Sequence, residues 1–307
     1  MASKTKRNNK IKLGGDVIAL NILTYSFTII MALLCLFPFI MVIAGSLSSE
    51  EAVVENGFSI LIQDFSVESY KTIFLDPNVV VRAFLNTTGL TIIGTVAGLL
   101  VQTMTAYALS RKDFTWKSQF TFFFYFTTLF SGGLVPYYIL MTDTLDLGNT
   151  YGALFLPLLF NVMHVFILRA NMQSIPDALI DAAKIDGASE IRILFQIIWP
   201  LITPALATIA LFIGIGYWND WYNAMLFVSD KELYPLQYFL YEQVNNIEGY
   251  KRLIANNASA GAISAVNLPA QTLKMALTVV VTGPIILVFP FIQKYFVQGL
   301  TIGSVKG

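Results

Sequence analysis

The sequence predicts an all-α integral membrane protein with six transmembrane helices and with both termini in the cytoplasm. Three observations carry that prediction. Of the 307 residues, 56% are hydrophobic and only 12% charged, with a mean hydropathy of +0.66; soluble domains carry about 25% charged residues. Six apolar stretches each approach the ~20 residues that a hydrocarbon layer of ~30 Å demands of a helix. Basic and acidic residues alternate between successive connections, as the positive-inside rule requires of a chain that crosses repeatedly. Helices follow because an open chain has no other way to satisfy its backbone in lipid.

The same composition excludes several classes. Lys+Arg and Asp+Glu balance at 19 each, so the charge offers no footprint for nucleic acid. Cys35 is the only cysteine and His164 the only histidine, so an internal disulfide, a thiolate cluster and a multi-histidine metal site are all ruled out. No G-x-x-x-x-G-K-[ST] phosphate loop occurs. An intramembrane enzyme would need a nucleophile and base in the spans, and one His with one Cys supplies no such set.

From the N-terminus, residues 1–17 form a basic arm carrying Lys4, Lys6, Arg7, Lys10 and Lys12. The first span, 18–44, is too long for a signal peptide and has no small-residue cleavage site, so it is read as retained. Residues 45–83 lean acidic (Glu50, Glu51, Glu55, Asp64, Glu68), lie outside, and are long enough for a small structure of their own. The second span, 84–109, holds Gly94 and Gly98, a small-xxx-small pair that lets another helix approach closely. A short basic loop with Arg111, Lys112 and Lys117 leads to the third span, 119–141. Asp143 and Asp146 mark the next outer turn, before the fourth span, 151–171. The fifth span is 201–224, followed by an outer loop of about 225–269 rich in Tyr, Asn, Ala and Ser, and the sixth span is 270–294. Pro284 and Pro290 predict kinks there. The spans form one domain over 18–298, with a tail at 299–307. His164, mid-span with no acid at helical spacing, reads as a packed, hydrogen-bonded residue.

Between the fourth and fifth spans lies a polar elbow, about 173–200, bearing Arg169, Lys184 and Arg192 nearby on the basic side. Ser174 and Pro176 are expected to start a short helix, with Asp177 and Asp181 favoured by its N-terminal dipole. Ala182 and Ala183 keep a face small for a partner surface. Gly187 suits the left-handed position that ends a helix. Ser189 caps a second helix, with Ile191, Leu194, Phe195 and Ile198 on one apolar face. Pro200 and Pro204 break the chain before the fifth span. The result is a short rigid helix across the bundle, able to transmit force to or from another protein.

Polar residues within spans face protein or water rather than lipid. Asn86, Gln102, Asn161, Asn219 and Asp220 are therefore candidates for a solute path, with Tyr137, Tyr138, Trp218 and Trp221 as stacking surfaces. Interhelical packing and an interfacial aromatic belt stand as alternatives for each. Trp218-Asn219-Asp220-Trp221 is the densest cluster.

Asp181-Ala182-Ala183-Lys184-Ile185-Asp186-Gly187, trailed by Ile197-Ile198-Trp199-Pro200, resembles the EAA coupling loop of ABC-transporter permeases, E-A-A-x-x-x-G followed by I-x-x-P, with Asp181 in place of Glu. Ala106-Tyr107-Ala108-Leu109-Ser110-Arg111 resembles the A-Y-A-x-S-R signature of the smaller permease of maltose-type, binding-protein-dependent sugar importers. Gly132-Gly133-Leu134-Val135-Pro136, Asn149-Thr150, Leu156-Pro157, Trp218-Asn219-Asp220 and the tail from Tyr295 to Gly307 match the same group, the tail looking most like its complex-oligosaccharide branch.

The resemblance implies a type I ABC importer permease fold in a bacterial cytoplasmic membrane. It implies a second homologous permease, two cytoplasmic ATPases that bind ATP and Mg, and an extracytoplasmic solute-binding protein that delivers a sugar; this chain itself holds no cofactor and is no enzyme. Asp181, Ala182, Ala183, Asp186 and Gly187 become the ATPase-coupling residues. The tail at 299–307 either reaches an ATPase or ends free, and the outer loop before the last span is expected to meet the binding protein. A permease for a non-sugar solute is the nearest alternative. An ion-coupled secondary transporter is a remoter one, since it would bury charges mid-membrane and often show an inverted repeat.

Overall fold

In the computed structural model, which describes residues 15–75, 77–256 and 270–302, regular structure is helical apart from one isolated bridge, Ser48 to Phe65. Most of the expected basic arm, the end of the tail, and residues 257–269 of the expected outer loop lie outside the described residues. The helices are α1 (Gly15–Ser46), α2 (Glu50–Asn56), α3 (Glu68–Ile73), α4 (Pro77–Ser110), α5 (Lys117–Leu129), α6 (Leu134–Ile139), α7 (Tyr151–Phe155), α8 (Val162–Gln173), α9 (Asp177–Ile185), α10 (Glu190–Arg192), α11 (Trp199–Leu201), α12 (Thr203–Trp218), α13 (Tyr222–Phe227), α14 (Leu236–Asn256) and α15 (Ala270–Ile302).

Three of them, α1, α4 and the described start of α15, are long and apolar enough to cross a membrane unbroken. Three bent pairs pass the same test, and the total reaches six when each pair is one span. The third expected span, 119–141, is thus not a single helix. It turns by 116° between α5 and α6, where Gly133 takes φ +87°, a region that other residues enter at a cost. The fourth bends by 42° at Asn161, whose side chain accepts from the backbone N–H groups of Met163 and His164 and so starts α8 afresh. The fifth begins only at Thr203, after an 89° bend at Ile202, with Pro200 and Pro204 each near a helix start. It ends at Trp218, short of the expected 224. By contrast α15 continues as helix through both prolines.

The chain forms two compact units. The first comprises the described residues up to 72 together with the start of α15. Along α1 the apolar side chains stay exposed, Leu23 by 71% and Leu33 by 62%, as a lipid-facing helix requires. Only its last turn packs: a Cβ on Gly45 would sit 2.1 Å from Met275 Sδ. The small structure expected within residues 45–83 exists here. Ser49 caps α2, Ser66 N–H donates to Leu47 O at 2.9 Å, and Ser69 Oγ donates to Thr272 Oγ1 at 2.8 Å. The Glu50 carboxylate accepts from Gln271 N–H at 3.0 Å and Thr272 N–H at 2.9 Å. It therefore caps α15 with a full negative charge at the positive end of the helix.

In the second unit α4 is the central strut, packed along α12 and α8. Its glycines make that possible. A Cβ on Gly94 would lie 2.3 Å from the ring of Tyr217, and one on Gly98 would lie 3.1 Å from Leu159 O. Ala106, Leu109, Val165, Leu168, Ile193, Ile209 and Ile213 close the core, all at most 4% exposed. A smaller core of Met141, Leu154, Ala224, Phe227 and Tyr234 gathers near the other end of α4. The segment expected as an outer loop also proves more regular than its composition suggests, because α14 fills 236–256.

Candidate functional site

The elbow is built on α9, nine residues long. Its start differs from the expectation. Pro176 occupies the N-cap position itself, without a capping side chain, and Ser174 Oγ donates back to Asn171 O at 2.8 Å, finishing α8 instead. Its end is a Schellman turn. Gly187 has φ +77°, its N–H donates to Lys184 O at 3.0 Å, and Ala188 N–H reaches Ala183 O at 2.9 Å. Ser189 then caps α10, accepting from Arg192 N–H.

The two faces of α9 do different work. Ile180 and Ala183 are buried against the core of the second unit, whereas Leu179, Asp181, Ala182, Ile185 and Asp186 are exposed, Ile185 by 87%. Ala183 therefore seats the helix on its own bundle, and Ala182 alone of the pair is free to meet a partner. The second elbow helix also departs from the expected face. Residues Ile193–Ile198 wind as a π-helix, which shifts the phase of the side chains. Ile193, Leu194 and Ile198 turn inward while Ile191 is left 70% exposed.

A polar cluster fastens α9 to the end of α4, and sequence reading missed its connectivity. Lys184 Nζ lies 2.9 Å from Asp113 and 3.0 Å from Glu190. Arg111 lies 3.3 Å from Asp113 and 3.9 Å from Glu190. Tyr107 donates its hydroxyl to Glu190 Oε2, and Lys112 pairs with Asp177. The only local signal was the closeness of Tyr107, in the last turn of α4, to Arg111 just past its end. The hydrogen bond from Lys184 holds the Asp113 carboxyl below its ordinary range, and the bonds to Asp113 and Glu190 hold the Lys184 ammonium above its own. A lowered acid stabilises above its unfolded pKa and loses that only as pH falls through its folded one. A raised base keeps its contribution until pH climbs past its folded pKa. The Asp113–Lys184 pair thus stays charged across the neutral range.

One exposed ion pair contributes about 0–1 kcal/mol, so the cluster matters as a network centred on Glu190. Glu190→Ala leaves the buried Tyr107 hydroxyl without its acceptor, a loss of about 1–3 kcal/mol. In an ATP-driven assembly of the kind the resemblance implies, solute-stimulated ATP hydrolysis is expected to fall severalfold, with basal hydrolysis kept. Glu190→Gln, which still accepts from Tyr107, is expected to fall between wild type and Glu190→Ala. Equal stimulation in all three proteins would show that the cluster does not position the elbow.

The path candidates do not gather into one site. Asn86 is fully occupied, donating to Glu232 O at 2.7 Å and accepting from Tyr151 at 2.9 Å. Gln102, wholly buried, donates to Leu159 O at 2.9 Å and meets His164 Nδ1 at 3.1 Å. Asn161 is the cap already described. Asn86 and Gln102 thus tie α4 to distant segments, while Asn161 caps its own helix. Tyr137 donates to Asn223 at 3.0 Å, and Asn223 in turn donates to the Asp220 carboxylate at 3.0 Å; Tyr138 stacks on Phe227. Asn219 accepts from Gln237 at 3.1 Å.

The two tryptophans part company. Trp218 meets Phe84 edge-on and lines an apolar cavity of about 610 Å³ with Thr91 and Thr95. Trp221 stacks on Tyr241 at 4.7 Å, and Tyr238 and Tyr234 extend the aromatic row. Tyr238 and Tyr234 were not singled out in the sequence, since only the fold of α14 back toward Trp221 aligns them.

Comparison with known proteins bears on the family and the fold. Residues 121–302 match the family described as binding-protein-dependent transport system inner membrane component. The chain is 38% identical to the polygalacturonan/rhamnogalacturonan transport system permease protein YtcP of Bacillus subtilis, over 94% of this chain and 98% of that one. It is 30% identical to the trehalose/maltose transport system permease protein MalG of Thermococcus litoralis, over 91% and 94%. A crystal structure of a bacterial ABC transporter involved in the import of the acidic polysaccharide alginate contains a chain that superposes with TM-score 0.77 at 28% identity, covering 93% of this chain and 99% of that one.

Proposed function

We propose that this chain, which belongs to the family of binding-protein-dependent transport system inner membrane components, is the permease subunit of an ATP-driven importer for an oligosaccharide or polysaccharide fragment. Family membership implies an ATPase and a solute-binding protein as partners, and ATP hydrolysis belongs to the ATPase. The finer composition, with a second homologous permease, two ATPases and a lipid-anchored binding protein, is part of the proposal. The carbohydrate permeases it resembles match it almost end to end, which favours a sugar over another solute and leaves no feature to support ion-coupled transport.

The observation that carries the mechanism is the anchoring of α9 to α4. On the cytoplasmic side, closing ATPases grip the exposed face formed by Leu179, Ala182, Ile185 and Asp186. The buried face and the Glu190 cluster pass the displacement to Tyr107 of α4 and to Arg111 just past its end. At its other end α4 is tied to the segment before α14: Arg82 pairs with Glu232 at 2.5 Å, Asn86 binds the carbonyls of Glu232 and Tyr234, and Thr87 accepts from Leu236 N–H at 2.7 Å. A single rigid helix thus links the elbow to the outer segment, where the exposed Trp221 and Tyr241 faces offer sugar-stacking surface.

The test is co-purification of the tagged chain from its native membrane, followed by uptake of labelled neutral and uronate oligosaccharides in cells with and without it. Recovery of a second permease, an ATPase and a binding protein, with saccharide uptake lost on deletion, is expected. Recovery of the chain alone, or uptake of amino acids in place of saccharides, would overturn the reading.

A further inference from the structure

We propose that Arg169, Lys117 and Ser118 form a binding site for the phosphate of an anionic phospholipid headgroup. The three line a cavity of about 570 Å³ between the start of α5 and α8. Arg169 Nη1 donates to Thr121 Oγ1 at 2.9 Å. Its Nε is shut off from solvent and has no acceptor. Among the described residues no carboxylate pairs with Arg169 or with Lys117. Their neighbours behave otherwise, since Arg111, Lys112 and Lys184 are all paired with acids. A guanidinium at the edge of a membrane protein with one of five donors used is an incomplete site.

Two further features select the ligand. Helix α5 begins at Lys117 with no capping side chain and no acid in its first turn, so its positive end adds to the two cations. The remaining wall is Thr115, Phe122 and Tyr125, the two rings being 68% and 52% exposed. Such rings suit the boundary between headgroups and hydrocarbon. A phosphate held bidentately by Arg169 would place its glycerol and acyl chains along those rings, which a free phosphate would leave uncovered. With two unpaired cations and no acid in the cavity, a headgroup of net negative charge fits better than one carrying its own ammonium.

The experiment uses the purified transporter complex and native mass spectrometry, titrating phosphatidylglycerol against phosphatidylcholine. The wild type is expected to hold phosphatidylglycerol selectively. Lys117→Gln and Arg169→Ala are each expected to weaken that binding about tenfold, the loss of one charge-assisted contact of about 1.4 kcal/mol, and Arg169→Lys to recover part of it. Lys117 sits at a helix start, so its variant keeps the test open if Arg169→Ala fails to assemble. Unchanged selectivity in Lys117→Gln would overturn the site, as would equal retention of phosphatidylcholine. Displacement of the lipid by millimolar inorganic phosphate would show instead a site for free phosphate and overturn the lipid assignment.

Discussion

Replacing Gly187 with valine is expected to abolish solute uptake while leaving the amount of chain in the membrane close to wild type. The reason is local. Gly187 holds φ +77°, and a Cβ built there meets nothing within 4 Å. The penalty is thus purely conformational, roughly 1–2 kcal/mol for an ordinary L-residue in this region and more for a β-branched one. The Schellman bonds from Gly187 and Ala188 back to Lys184 and Ala183 depend on that conformation, so relaxing it frays the end of α9 and moves Glu190 away from Lys184. The effect should be graded. Asparagine, which tolerates the left-handed region, should retain most uptake, alanine less, and valine none. Uptake and solute-stimulated ATP hydrolysis, measured across Gly187→Asn, Gly187→Ala and Gly187→Val, check this order. Full activity in Gly187→Val would mean that the turn is not part of the coupling element.

Gly94→Ala is expected to act elsewhere, on assembly of the bundle itself. The new Cβ would lie 2.3 Å from Tyr217 Cε2 and 2.4 Å from Cζ. That ring has no room to yield: Tyr217 is 2% exposed, stacks on Phe155 and donates its hydroxyl to Phe155 O at 2.7 Å. Helices α4 and α12 would have to separate, and overpacking of this kind costs about 1–3 kcal/mol, occasionally more. The expected result is a clearly lower thermal midpoint for the detergent-solubilised complex and less chain in the membrane. Gly94→Leu should not assemble. A second change, Tyr217→Leu, should restore part of the loss in Gly94→Ala by vacating the ring's volume, a coupling that two independent sites would not show. A wild-type midpoint in Gly94→Ala would refute the close approach of these helices.

These two glycines also show what was legible in the sequence. Gly187 follows an Ala-rich polar helix and precedes a Ser cap, a pattern confined to about a dozen residues. Gly94 and Gly98 share one helix face by spacing alone. Short-range physics was the readable part: the left-handed turn at Gly187 and the capping Ser189 stand where expected, although Ser174 closes α8 instead of starting α9.

What the sequence left open depends on partners distant along the chain. Nothing near Asn86 announces Glu232, Tyr234 and Tyr151, and nothing near Glu190 announces Tyr107. The polar path candidates looked equivalent because an amide in an apolar run must find a partner, yet the sequence does not say whether that partner is a helix end, a neighbouring strut or a solute. Ala182 and Ala183 are identical residues side by side, and only the seating of α9 on the bundle separates the exposed one from the buried one. The π-wound segment at Ile193–Ile198 has the same origin. Its apolar residues fit an ordinary helix, but in the fold Ile193, Leu194 and Ile198 are buried while Ile191, just before it, is exposed. Local propensity thus determined which segments are helical and where the turn at Gly187 and the cap at Ser189 fall. Helix rotation, bend angle and side-chain partnership were decided by tertiary packing, because each is a compromise among contacts that no single segment contains.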